Sequence, residues 1–167
     1  MLDSQSALLP VLSVNICGPN GIHKRGTVLL DTGAQISLIR NDTASQLGLT
    51  GKDMSVTITK VGGQEETLKT KEYRVPVTSL KNQKKYSVKA VGIPSISEDI
   101  AGIQIAQFLA PLGLMRERIH RGKGPVDLLI GIDHASMHTG QTRQAGKLVA
   151  RHTPCENCMH DFMFIEL

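Results

Sequence analysis

The sequence predicts a mainly β domain with one helical insertion. Short segments in which apolar and polar residues alternate recur along the first half of the chain, and turn residues such as Gly, Pro and Asn separate them. Aromatic residues make up only 3% of the 167 residues, so the core must be built from Val, Ile and Leu, which favour packed sheets. Near residues 95–120 the apolar residues instead recur at nearly helical spacing.

The first two predicted strands form a hairpin that ends on an acid. Residues 8–16 alternate between apolar and polar side chains, and residues 18–21 are Gly-Pro-Asn-Gly, a strong turn signal. Residues 25–31 then return as a strand, whose Val-Leu-Leu run predicts burial on both faces. Asp31 therefore stands at the end of a buried strand.

A short helix and three more strands are predicted downstream. The helix should be capped by Asn41 or Asp42 and should end at Gly48. The strands are expected at residues 55–60, 73–77 and 86–93, with a glycine turn at residues 61–64. Pro76 indicates that the second of these strands lies at an edge of its sheet, because proline has no N–H to donate to a neighbouring strand.

Charge and cysteine content limit the classes of partner and compartment. The formal net charge is +4, and the Lys and Arg residues are spread along the chain without an interleaved set of aromatic side chains. This pattern favours a solvated surface over a nucleic-acid site. No apolar run reaches the roughly 18 residues that span a bilayer, and the three cysteines do not make a disulfide framework. We therefore expect a cytoplasmic protein with neither nucleic acid nor membrane as a partner.

Residues 29–34, Leu-Leu-Asp-Thr-Gly-Ala, carry the strongest chemical signal. Burying a lone carboxylate is costly, so an acid placed directly after a buried strand indicates a role beyond packing. Gly33 allows the chain to turn sharply away, and Thr32 adds a hydroxyl and a backbone amide beside the acid. The structural alternative is an aspartate that caps a turn through its own backbone.

This stretch and its continuation, LLDTGAQISLIRNDTASQLGL, resemble the active-site motif of retropepsins, the aspartic proteases of retroviruses and retrotransposons. Residues 127–134, Asp-Leu-Leu-Ile-Gly-Ile-Asp-His, are similar to the family's second signature, in which apolar residues and a Gly precede the carboxy-terminal helix. Between them, Val61-Gly62-Gly63 falls where the family carries a glycine-rich flap. The resemblance covers residues 8–135. Within the family, the sequence is most similar to the peptidase domain of BEL/Pao-type retrotransposons, because the insertion and the Ile-Gly-Ile-Asp-His sequence are both typical of that group.

The resemblance implies a retropepsin-like acid-protease barrel that acts as one subunit of a C2 homodimer. The chain has one Asp-Thr-Gly, so two copies must face each other to supply the pair of carboxyls that activates a water. The implied site contains catalytic Asp31, supporting residues Thr32, Gly33 and Ala34, and substrate-binding residues Gln35, Val61, Gly62 and Gly63. No cofactor is implied. The implied substrate is an extended polypeptide, in particular a retroelement Gag-Pol-like polyprotein.

Two departures from the family pattern bear on this interpretation. Viral members pair an acid two places after the motif's Gly with an Arg after the Gly of the second signature, and here these places hold Gln35 and Ile132.

The second departure is the carboxy-terminal tail. We assign residues 1–140 to the protease domain and residues 141–167 to a divergent tail. The tail lacks the family's usual strand, although residues 162–167 are apolar enough to replace it at the dimer interface. The alternative is a non-catalytic, decayed or domesticated retroelement domain that acts as a binding or scaffold module.

The tail also holds a Cys-x-x-Cys pattern. His152, Cys155, Cys158 and His160 supply four nitrogen and sulfur ligands of the kind that zinc prefers. Their spacing is not that of a familiar zinc finger, so we expect free thiols and no metal site, and zinc stays as the alternative. Two further histidines lie four residues apart beside the second signature, at positions 134 and 138, and we expect them to be exposed or capping residues.

Overall fold

The computed structural model of the protein describes residues 11–59, 62–78, 80, 85–96, 124–138, 142–145, 148–152 and 162–166. It is mainly β, as the sequence predicts. The strands are β1 (Val11–Cys17), β2 (His23–Leu30), β3 (Leu38–Arg40), β4 (Gly51–Thr59), β5 (Glu65–Thr78), β6 (Lys85–Ile93), β7 (Leu128–Ile130), β8 (Thr142–Ala145), β9 (Leu148–His152) and β10 (Phe162–Glu166). An α-helix, α1 (Asn41–Gln46), and two 3-10 helices, Pro19–Gly21 and Ile132–His138, connect them.

The first seven strands form one sheet. Their order is β1-β2-β7-β3-β6-β5-β4, and β1 also pairs with β5, so the pairings lead back to the first strand. β7 runs parallel to β2 and β3 runs parallel to β6, while the other pairs are antiparallel. Buried aliphatic side chains build the main core, among them Leu12, Val14, Ile16, Val28, Leu30, Ile39, Val75, Val77, Val88, Leu128 and Ile130. Aliphatic residues thus supply the core, as the low aromatic content predicts.

The predicted first hairpin is confirmed. β1 and β2 pair antiparallel along their length, and the turn places Asn20 and Gly21 at positive φ angles of 59° and 77°. Asn and Gly are the residues that adopt this left-handed conformation most readily. Both faces at the end of β2 are buried, because Val28 and Leu30 join the main core while Leu29 packs into a second apolar cluster.

The predicted helix is present, but its capping differs. Arg40 occupies the N-cap position and no side chain caps the helix there, so the assignment of the cap to Asn41 or Asp42 is wrong. The Arg40 guanidinium instead pairs with Asp127. Gly48 follows the helix at a φ of +67°, as predicted, in a conformation that glycine adopts without strain.

β5 is not an edge strand, which corrects the expectation from Pro76. It pairs with β6 along one side, and along the other side with β4 up to Tyr73 and with β1 from Val77. Pro76 lies between these two stretches and has only Ser87 of β6 opposite it among the described residues. A residue without an N–H is tolerated at such a gap.

The insertion predicted near residues 95–120 lies almost entirely outside the described residues. In the tail, β8, β9 and β10 form a separate three-stranded antiparallel sheet in the order β10-β9-β8. The apolar segment at residues 162–167 contains β10, which pairs with β9. In the part of the chain that the structure describes, no helix is long and apolar enough to cross a membrane.

Candidate active site

Asp31 is the first residue after β2, and three hydrogen bonds fix its loop. The Asp31 N–H donates to the carbonyl of Ile130 at 3.0 Å, which ties the loop to β7. The Gly33 N–H donates to Asp31 Oδ1 at 2.9 Å, and the Ala34 N–H donates to the Asp31 carbonyl at 3.2 Å. The loop is therefore a tight turn at the end of a buried strand, and it orients one carboxylate oxygen.

The two carboxylate oxygens of Asp31 have different surroundings. Oδ1 caps the turn, which is the role that the structural alternative from the sequence assigns to this aspartate. Oδ2 makes no hydrogen bond to any residue that the structure describes, and the side chain is only half-buried. Thr32 and Gly33 are exposed beside it. The loop can therefore present a carboxylate oxygen to a water, a substrate or a second protein surface.

The second signature lies directly against this loop. β7 lies between β2 and β3 in the sheet, and Gly131 follows it. A Cβ atom on Gly131 would lie 2.7 Å from the carbonyl oxygen of Ala34 and 2.9 Å from that of Ile36. Only glycine permits this approach of two backbones. The Ile132 N–H then donates to the Ala34 carbonyl at 2.9 Å, so the two motifs are joined on both sides of Gly131.

Ser37 and Asp133 link the same two segments through side chains. Asp133 accepts the Ser37 N–H on Oδ2 at 3.1 Å and the Ser37 hydroxyl on Oδ1 at 2.8 Å. The hydroxyl oxygen in turn accepts the Gly131 N–H at 3.0 Å. Ser37 is 1% exposed, so its polar groups depend on these partners for hydrogen bonds.

Gln35 and Ile132, which replace the charged pair of viral members, lie on these joined segments. Both side chains are exposed, and so is the neighbouring Ile36; the exposed fractions are 46% for Ile132 and 44% for Ile36. The replacements leave an uncharged and partly apolar surface beside the loop.

A buried carboxylate anchors the start of the second signature. Asp127 is 5% exposed, and its Oδ2 accepts the Thr27 N–H at 3.0 Å. Its Oδ1 accepts hydrogen bonds from Thr43 at 2.6 Å, Arg40 at 3.0 Å and Lys24 at 3.2 Å. Burial raises the pKa of Asp127, but these hydrogen bonds outweigh burial and hold the pKa below its ordinary value. The cluster joins β2, β3 and α1 to the start of β7, and these elements carry the candidate site.

The β4–β5 hairpin carries two of the predicted flap glycines at its turn. Gly62 and Gly63 have φ angles of +96° and +83°, and both are exposed. Val56 and Leu68 lie opposite each other in the hairpin and are half-buried. Val61, which the resemblance places in the same flap, lies outside the described residues.

The histidines of the second signature contact backbone groups. The Lys89 N–H donates to His134 Nε2 at 3.1 Å, and His138 Nε2 lies 2.9 Å from the Gly131 carbonyl oxygen. His138 is buried and His134 is half-buried. Neither residue is exposed, so the expected exposure is wrong, and each instead contacts a backbone group.

The zinc alternative falls mostly outside the described residues. His152 ends β9, whereas Cys155, Cys158 and His160 are not among the residues that the structure describes. Within the described ranges, no three His, Cys, Asp or Glu residues form a group that could hold a metal ion. Zinc binding by the tail therefore stays an untested alternative.

Asp127 and Asp133 have no predicted role from the sequence, although both belong to the second signature. A signal was present, because the two acids flank the apolar segment Leu-Leu-Ile-Gly-Ile, and a carboxylate beside a buried segment needs partners. The partners themselves, Ser37 and Arg40, lie far away in the sequence and are brought close only by the pairing of β3 with β7.

The sequence matches the aspartyl protease family over residues 12–134. The matched region begins in β1 and ends at His134, the last residue of the second signature, so it includes both Asp31 and Gly131. Searches of curated proteins and of solved structures each gave no match. Because the family match spans well over half of the 167 residues, the chain belongs to the aspartyl protease family.

Proposed function

We propose that the chain is an aspartic endopeptidase whose active site forms between the Asp31 carboxyls of two copies. The observation that carries the proposal is the loop at residues 31–34, where an acid follows a buried strand and keeps Oδ2 free of hydrogen bonds to the described residues. Membership of the aspartyl protease family supports the same chemistry. The chain has a single Asp-Thr-Gly, so a second copy must supply the second acid.

The surface around Asp31 is suited to contact with a second copy. Thr32 and Gly33 are exposed in the single chain, and Ile36 and Ile132 add large apolar side chains next to them. Removing apolar surface from water favours association. The pairing of β1 with both β2 and β5 supports a retropepsin-like barrel as the subunit of this C2 homodimer.

The proposed reaction is the hydrolysis of a peptide bond by an activated water. Two carboxyls about 3 Å apart cannot both ionise, so the pair shares one proton. The ionised carboxylate takes a proton from the water, which attacks the carbonyl carbon, while the protonated carboxyl donates to the carbonyl oxygen. The tetrahedral intermediate then collapses, the C–N bond breaks, and the amine leaves with a proton from the pair.

The proposed substrate is an extended polypeptide, in particular a retroelement polyprotein of the BEL/Pao type, processed inside the cell or in the element's particles. The β4–β5 hairpin supports this, because a two-stranded ribbon with glycines at its turn can close over a peptide and pair with it as an added strand. Gln35 and the glycines Gly62 and Gly63 would contact the peptide backbone together with Val61.

The tail contributes to the proposed dimer through β10. Among the described residues β10 pairs only with β9, and no described strand lies on its other edge, where a strand of the second copy could pair. If the tail does not allow dimerisation, the chain would be a scaffold domain that keeps the fold without the activity. Light scattering separates the two functions, because a strict monomer has one carboxyl and cannot form the pair.

The direct test is cleavage of a peptide library at about pH 5 by the purified chain and by Asp31→Asn. The amide is nearly isosteric with the acid but cannot exchange the proton, so we expect a loss of about 100- to 10,000-fold. Asp42→Asn, the same change at an exposed aspartate, is the matched control and should cleave normally. A transition-state analogue of aspartic proteases should inhibit the wild-type chain. Cleavage by Asp31→Asn at the wild-type rate would overturn the assignment.

A further inference from the structure

We propose that Ser37 and Asp133 are positioning residues that fix the catalytic loop by holding Gly131. The inference rests on the proposed function, since it concerns how Asp31 is placed for catalysis. Neither side chain contacts the Asp31 carboxylate in the hydrogen bonds described above. Both act through the backbone of the second signature.

The first step is that the two residues next to Gly131, Ile130 and Ile132, each make a backbone hydrogen bond to the catalytic loop. The Asp31 N–H donates to the carbonyl of Ile130, and the Ala34 carbonyl accepts the N–H of Ile132. These two hydrogen bonds secure the start and the end of the turn at residues 31–34. A shift of the Gly131 backbone would therefore move both contacts and carry the aspartate with them.

The second step is that Gly131 has no side chain to pack, so its own polar groups set its position. Its N–H donates to Ser37 Oγ at 3.0 Å, and its carbonyl oxygen lies 2.9 Å from His138 Nε2. Gly131 is buried, and a buried N–H without a partner costs about 1–3 kcal/mol. The serine hydroxyl is thus the group that holds the amide side of this residue.

The third step is that Asp133 orients the serine. One carboxylate oxygen takes the Ser37 N–H and the other takes the hydroxyl hydrogen, at 3.1 Å and 2.8 Å. With its hydrogen donated to the carboxylate, the hydroxyl can offer only lone pairs to Gly131. The Ser37 carbonyl is also used, because it accepts the Val91 N–H at 3.0 Å. Ser37 is therefore fixed on every polar group, and Asp133 selects the hydroxyl orientation that Gly131 needs.

This arrangement has a consequence that a purely structural role would not have. A reacting group displaced by about 1 Å loses roughly 100-fold in rate. Loss of the Ser37 hydroxyl should therefore lower kcat more than it raises KM.

The experiment compares Ser37→Ala with a matched control, Thr43→Val, in the full-length chain. Each variant removes a buried hydroxyl that donates to a carboxylate, but the Thr43 hydroxyl lies at the other end of β7, away from Gly131. Amide hydrogen exchange is measured at the two anchoring N–H groups, those of Asp31 and Ile132, and is normalised to amides of β5 and β6. We expect exchange at the anchors to rise about tenfold in Ser37→Ala and less than about threefold in Thr43→Val.

Activity provides the second measurement, at a temperature where both variants are folded. Ser37→Ala should lose about 10- to 100-fold in kcat with a smaller change in KM, and Asp133→Asn, which keeps one acceptor oxygen, should lose less than Asp133→Ala. Unchanged exchange at the anchors in Ser37→Ala would overturn the inference even if the chain proved inactive. If Asp31→Asn retained activity, the proposed function would fail instead, and the exchange experiment would still decide whether Ser37 holds the loop.

Discussion

Replacing Asp127 with Asn should lower the free energy of unfolding by about 3–5 kcal/mol at neutral pH, because it breaks a buried ion pair by removing one partner. The Oδ2 atom accepts the Thr27 N–H, while Oδ1 accepts from Thr43, Arg40 and Lys24. An amide has a single acceptor oxygen, so in either orientation its NH₂ group points at a donor. The better orientation keeps the three donors on Oδ1, leaves the Thr27 N–H unpaired at about 1–3 kcal/mol, and removes the charge that strengthens two of the remaining bonds.

Thermal unfolding followed by circular dichroism measures this loss. At about 2–4 °C per kcal/mol for a chain of this size, the Tm should fall by about 6–20 °C. Asp42→Asn is the matched control, since Asp42 lies 3.8 Å from the same Arg40 guanidinium but is 77% exposed. An exposed pair of this kind contributes at most about 1 kcal/mol. The control should therefore unfold within a few degrees of the wild type.

The stability difference between the wild type and Asp127→Asn should also depend on pH. The pKa of Asp127 is lowered in the folded state, so its stabilisation is present above the ordinary aspartate pKa and is lost as the pH falls through the folded-state value. The difference between wild type and Asp127→Asn should stay constant from about pH 5 to 8 and shrink below about pH 4. A difference under about 1 kcal/mol at pH 7, or one that widens in acid, would refute the reasoning.

Three further predictions concern the site and the dimer. Gly131→Ala should lower kcat/KM by about tenfold or more, because the new Cβ would lie 2.7 Å from the Ala34 carbonyl oxygen. Gly21→Ala strains the left-handed turn between β1 and β2, but its Cβ meets open space, so this control should lose some stability and keep wild-type activity when folded. Well below the dimer dissociation constant, the rate should scale with about the square of total protein, and a linear rate in a sample shown to be monomeric would contradict this. Deleting residues 162–167 should raise the dissociation constant measured by sedimentation, and an unchanged constant would place the interface outside β10.

The sequence predicted best those elements whose signal is local. The first hairpin follows from alternation and from a Gly-Pro-Asn-Gly turn, and the structure has it with Asp31 directly after β2. The helix cap was predicted wrongly because Arg40 is recruited by Asp127, which lies 87 residues away. The edge position predicted from Pro76 was wrong because strand order, and not a single residue, decides which strand lies at an edge. Pro76 lies in the gap on β5 between the part that pairs with β4 and the part that pairs with β1, and only the tertiary structure shows this gap.

The candidate site also combines local contacts, which the sequence predicts, with contacts between distant residues, which it does not predict. The motif at residues 31–34 carries its own turn chemistry, since the Gly33 N–H and the Asp31 carboxylate are two residues apart. The support of that turn is not local, because Ser37 and Asp133 meet across 96 residues. Chemical reasoning could have flagged both acids of the second signature as needing partners, but a single sequence does not identify which hydroxyl or cation supplies them.

The most direct test of the two-copy active site is a mixing experiment with inactive Asp31→Asn. Wild-type and Asp31→Asn chains are unfolded and refolded together at constant total concentration, and cleavage of a peptide substrate is measured as the wild-type fraction is varied. If each active site needs an acid from both copies, only dimers of two wild-type chains are active and the rate should follow the square of the wild-type fraction. A rate that falls in direct proportion to the wild-type fraction would mean that each Asp31 acts independently of the other copy, and would contradict the account.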